Sequence, residues 1–155
     1  MLRKTISGKE YTFEFGIEAT LYNDVTESIM NTFVTAGIAQ NEATGGNVKD
    51  AMKTIVQSMS DIPQRAITLF YAGLLEHHGP SGDGSVKSIN DAKTIMVQYM
   101  KENGISMYEI MSEMTELMAS DNFFEMIGLD KMLENMNQAE EKPRRGRKKA
   151  SVGEN

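Results

Sequence analysis

Residues 4–24 read KTISGKEYTFEFGIEATLYND, and the change of period inside this stretch decides the fold. Tyr11, Phe13 and Phe15 alternate with Thr12 and Glu14, the two-residue period of a half-buried strand. Ser7-Gly8, between Ile6 and Lys9, suits the two-residue turn of a β-hairpin. A lone hairpin is marginal in water, so Tyr11, Phe13 and Phe15 are expected either to dock on a helix or to serve assembly with another chain. From Ile17 the period becomes helical. Ile17, Leu21, Val25, Ile29 and Phe33 fall four apart, which predicts one helix with these residues inward, stopped by Gly37.

Working outward, the chain stays helical. A polar linker over residues 37–46 leads to a helix capped by Asn47, with Val48, Met52, Ile55, Val56 and Met59 on its inner side. Ser60 or Asp61 caps the next, and Pro63 sits in its first turn, where the missing N–H costs nothing. That helix carries Ile67, Phe70, Tyr71, Leu74 and Leu75, the most apolar stretch, and is the expected central core helix. HHGPSGDGSVKS, residues 77–88, reads as a mobile loop. Ser88 and Asp91 resemble a capping box opening a helix with Ile95, Met96, Tyr99 and Met100 inside, and Asn103-Gly104 closes it. Ser106 and Glu109 form a second capping box, and Ser120 or Asp121 starts a short helix through residues 122–136. The expected fold is mainly α: a compact multi-helix domain over residues 1–136 with an N-terminal β-hairpin at 2–15. A disordered basic tail over 137–155 follows.

Composition narrows the function. The 155 residues contain no cysteine, which removes disulfides, thiolate metal sites and cysteine nucleophiles. No apolar run approaches the length of a membrane span, and the N-terminus has no signal-peptide pattern. The net charge of -6 conceals a split: six cations and no anions lie between Lys142 and Lys149, leaving ten cations against twenty-two anions elsewhere. So acidic a body repels phosphate, and a nucleic-acid role would fall to Arg144, Arg145, Arg147, Lys148 and Lys149, which lack aromatic neighbours for base stacking.

His77 and His78 are adjacent, so on a helix they diverge by about 100° and do not share a metal. The GPSGDGS segment lacks the lysine and hydroxyl residue of a phosphate loop. No serine–histidine arrangement suggests a nucleophile and base, and the reading is non-enzymatic, with no cofactor and no metal. Methionine is the unusual residue. Of thirteen, Met107, Met111, Met114 and Met118 follow four-three-four spacing along one helix face, joined by Ile110 and Leu117. Such a stripe is either packed in a core or an adaptable surface for an irregular apolar partner, extended by Phe123 and Phe124.

The opening TISGKEYTFEFGIEATLYND resembles the start of tail assembly chaperones from long-tailed bacteriophages, especially those of Gram-positive hosts. Their opening pattern I-N-G-K-E-Y-x-F-x-F-G is matched by Ile6, Gly8, Lys9, Glu10, Tyr11, Phe13, Phe15 and Gly16, with Ser7 in place of asparagine. The loop from Gly79 to Ser88 and the basic end have no counterpart in that pattern. The resemblance implies a protein of the host cytoplasm that coats the long helical tape measure protein, keeps it soluble and helps recruit tail tube subunits. Such a chaperone associates with further copies and is absent from the finished virion. The resemblance also implies a longer product made by a -1 ribosomal frameshift, for which A-rich codons at Lys148-Lys149 would serve as the slippery site. Two other classes compete: a small regulator binding nucleic acid through the basic tail, and a structural tail or connector subunit.

Overall fold

The structure is a computed structural model that describes residues 1–28, 61–128 and 131. The chain resolves into two units, Met1–Phe123 and Phe124–Asn155. The first is mainly helical, with a two-stranded antiparallel hairpin at its N-terminus. Strand β1 spans Leu2–Ile6 and β2 spans Lys9–Phe13, paired from Ile6 opposite Lys9 to Leu2 opposite Phe13. The turn has positive φ at both Ser7 and Gly8, the type I′ geometry that matches strand twist. Ser7 is held there because the Glu102 carboxylate accepts from its N–H at 3.0 Å and its hydroxyl at 3.1 Å.

Helix α1 spans Ile17–Leu21, α2 Ile62–His78, α3 Ile89–Asn103, α4 Met107–Ser120 and α5 Phe123–Met126. The central helix is α2, and β2, α1, α3 and α4 all pack on it. Its Ala66, Leu69, Phe70, Ala72, Leu74 and Leu75 are all buried, so the helix is apolar round most of its circumference. Asp61 occupies the N-cap without a side-chain cap bond and reaches Arg65 at 3.7 Å instead. Pro63 lies in the first turn, as its missing N–H favours.

Both capping boxes form. Ser88 and Asp91 close the start of α3, Ser106 and Glu109 that of α4, and Gly104 ends α3 in the left-handed conformation. The Glu109 carboxylate accepts from the Ser106 N–H at 2.7 Å and hydroxyl at 2.8 Å, and these bonds hold its pKa below the usual value. Because the folded value is the lower one, this contribution is present above the unfolded titration and is lost as pH falls through the folded pKa. Ser106→Ala removes one half of the box and is expected to cost about 1 kcal/mol in urea unfolding.

Two expectations are corrected. The helix predicted from Ile17 to Phe33 is interrupted at Tyr22, which is extended, before residues 23–28 turn helical again. Ile17 and Leu21 are 64% and 70% exposed, whereas Ala19 and Val25 are fully buried. The first turn of α1 is pinned from outside its own sequence: the Glu18 N–H donates to Glu76 Oε2 at 3.1 Å. Tyr22, not Leu21, packs on α2, edge to face with Tyr71 at 5.3 Å.

The segment after α2 is not a free loop. The N–H groups of Gly82 and Gly84 donate to the Gly79 carbonyl at 3.0 Å, Asp83 N–H to His77 O at 2.9 Å and Val86 N–H to His78 O at 2.8 Å. The Val86 side chain is fully buried. A Cβ at Gly82 would overlap the His77 carbonyl, so this glycine serves close approach rather than flexibility. The linker at 37–46, the helix from Asn47, the inward residues Ile29 and Phe33, and the tail at 137–155 lie outside the described residues.

Candidate functional site

The hairpin is anchored before it can serve as a free edge. Phe13 and Phe15 are buried. Phe13 meets Phe70 edge to face at 4.9 Å, and Phe15 meets Phe123 at 5.5 Å. Tyr11 is half-buried against the His78 ring at 5.3 Å. The outer edge of β2 is also taken, since Thr12 N–H donates to His78 Nε2 at 2.9 Å and Glu14 N–H to the Gly73 carbonyl at 2.8 Å. On the other strand, Lys4 pairs with Glu113 at 2.5 Å and lies 5.4 Å from the Tyr99 ring centre. Burial pulls the Lys4 ammonium down, but its bonds to Glu113 and Tyr99 outweigh that, and its pKa is raised. Glu113 also accepts from the Tyr99 hydroxyl at 2.9 Å, so one carboxylate joins β1, α3 and α4. Support within this chain is therefore the role the geometry gives Phe13 and Phe15.

The methionine stripe of α4 divides along its length. Ile110, Met114, Leu117 and Met118 are buried, and so is Phe123 beyond the helix end. The stripe was open between core packing and a partner surface that Phe123 would extend, and for these five the burial fits core packing: their side chains are occupied within the fold. The cause lies on α2. A Cβ at Gly73 would meet Phe13 Cδ1 at 3.3 Å and Met114 Sδ at 3.5 Å, so the bare glycine lets hairpin and α4 close together on one point of the central helix.

Met107 and Met111, one turn earlier, are only half-buried, and Tyr108 is 62% exposed. Residues 107 and 111 are four apart and 108 and 111 three apart, so these side chains form one contiguous strip. Glu109 and Glu116 of the same helix are exposed. Tyr108 was missed by the sequence reading because it lies off the four-three-four methionine row. The available signal was its place three residues before Met111, on the shoulder of the stripe. Phe124 opens the second unit.

No family model, curated protein or solved structure matches this chain.

Other concentrations of polar groups have structural uses. His77 Nε2 meets Glu14 Oε2 at 2.6 Å, and His78 Nδ1 meets Asp83 Oδ2 at 2.9 Å, so the two imidazoles diverge to different partners. The Asp83–His78 pair resembles half of a catalytic triad, but the nitrogen that would activate a nucleophile is spent on the Thr12 N–H. Among the described residues no group of three or more histidine, aspartate or glutamate side chains could hold a metal ion. A cleft of about 300 Å³ is lined by polar residues that include Asp24, Glu27, Ser28, Asp61 and Arg65. Among the described residues no helix is long and apolar enough to cross a membrane. Arg144, Arg145, Arg147, Lys148 and Lys149, the alternative nucleic-acid contacts, lie outside the described residues.

Proposed function

We propose that this chain is a tail assembly chaperone of a long-tailed bacteriophage, a non-enzymatic protein acting in the host cytoplasm. It binds the tape measure protein, keeps it soluble and helps recruit tail tube subunits around it. The observation that carries the reading is the strip of Met107, Tyr108 and Met111, left open at the start of a helix whose apolar stripe is otherwise locked in the core. A long helix with apolar stripes aggregates unless sheathed. Unbranched thioethers beside an exposed tyrosine ring conform to an irregular apolar partner without demanding one sequence. The exposed carboxylates of α4 and the acidic body keep the complexes soluble. Many copies along one partner gain avidity from weak single contacts. The hairpin and its resemblance to the chaperone opening support the same reading, and the basic end suits a join to a longer frameshift product.

Co-expression with the tape measure protein tests this. The partner is expected in the soluble fraction, copurifying, only when this chain is present. Equal solubility with and without it, and no complex, would defeat the proposal. The double substitution Tyr108→Asp with Met111→Asp is expected to weaken copurification about tenfold or more, because it charges the strip's centre. The helical circular dichroism should be retained.

A further inference from the structure

His78 stands on the last turn of α2 with both ring nitrogens in use. Nε2 lies 2.9 Å from the Thr12 backbone nitrogen, and a backbone N–H only donates, so Nε2 must hold its lone pair. Nδ1 lies 2.9 Å from Asp83 Oδ2. Hydrogen bonds from the Ser85 hydroxyl and N–H, then from His78, hold the Asp83 carboxyl well below the usual carboxylate range, so it stays an acceptor and Nδ1 carries the proton. The ring is therefore neutral and fixed in one tautomer.

We propose that His78 is a pH-sensitive latch that holds the outer edge of β2 against α2 and releases it on protonation. A second proton has only Nε2 to go to, where it would point at the Thr12 N–H. Two donors then face each other, and the contact is lost. The open form binds one more proton than the closed form, so acid favours opening.

The surrounding groups set how far the release spreads. Asp83 stabilises an imidazolium from the Nδ1 side but restores no acceptor at Nε2. Ser85 Oγ, 3.4 Å from Nδ1, lies on that same side. Tyr11 covers the ring edge-on at 5.3 Å, and the Lys9 ammonium sits 5.0 Å from the Tyr11 ring centre. Beside the latch, His77 Nε2 and Glu14 Oε2 join α2 to the residue that follows β2 at 2.6 Å. Glu14 N–H stays on the Gly73 carbonyl, which does not titrate. Acid thus frees the strand edge around Thr12 and leaves the hairpin docked.

The test is amide hydrogen exchange of the full chain at about pH 8 and pH 5, corrected for intrinsic rates, across the range in which imidazole titrates. The Thr12 protection factor is expected to fall about tenfold or more in acid while that of Glu14 holds. His78→Gln keeps an acceptor near Nε2 without titrating, and its Thr12 protection should not change with pH. His77→Gln should keep the wild-type fall. Thr12 protection that ignores pH, a fall shared with Glu14, or the same fall in His78→Gln would overturn the proposal. Ring nitrogen shifts of the wild type give a readout free of any variant. The proton is expected on Nδ1 at about pH 8, and finding it on Nε2 would overturn the latch.

Discussion

Phe13→Ala is expected to lower the free energy of unfolding by about 3–5 kcal/mol, read from urea denaturation followed by helical circular dichroism. The ring is 1% exposed, lies edge-on to Phe70 at 4.9 Å, and sits over the one point where α2 has no side chain. Truncation removes that apolar burial and leaves a cavity that rigid neighbours cannot fill. The edge hydrogen bonds of β2 to Gly73 and His78 hold the backbone in place, which limits collapse into the void. Domains of this size have about 5–15 kcal/mol in total, so the variant should lose a large share of its stability and unfold at a clearly lower urea concentration. A loss of less than about 1 kcal/mol would mean that the hairpin is not an integral layer of the core.

The second large effect separates two methionines on one helix. Met114→Ala is expected to cost about 2–5 kcal/mol, because the side chain is 1% exposed and is lodged between α4, Gly73 and the hairpin aromatics. Met111→Ala, at a half-buried position three residues earlier, should cost about 1 kcal/mol or less. Equal costs at the two positions would show that α4 is rotated from the orientation described.

These two positions also show what the sequence could and could not disclose. The four-three-four spacing assigns the methionines to one side of a helix, but burial depends on what approaches that side. Gly73, thirty-four residues before Met107, lets Phe13 and Met114 approach α2 closely, and no local spacing in α4 announces it. Local signals fared better. Ser106 with Glu109, Ser88 with Asp91, and Gly104 each act within one turn of chain, and each forms the cap its spacing implies. Ser7-Gly8 likewise carries its own turn geometry. Non-local pinning defeats the same kind of reading in α1. There the bond from Glu18 N–H to Glu76 and the packing of Tyr22 on Tyr71 override the four-residue period and turn Ile17 and Leu21 outward. In residues 79–88, glycine composition indicated mobility, yet Gly82 is there for close contact with the His77 carbonyl. Composition does not distinguish these two uses of glycine.

The outer strip of α4 remains the basis of the proposed partner binding, and it makes a residue-level demand. Methyl-labelled methionine spectra of the full chain, recorded as the tape measure protein is added, address it directly. The account predicts that the Met107 and Met111 methyl signals shift or broaden on binding while those of Met114 and Met118 stay where they are. Binding that leaves Met107 and Met111 untouched, or that moves Met114 and Met118 just as far, would contradict it.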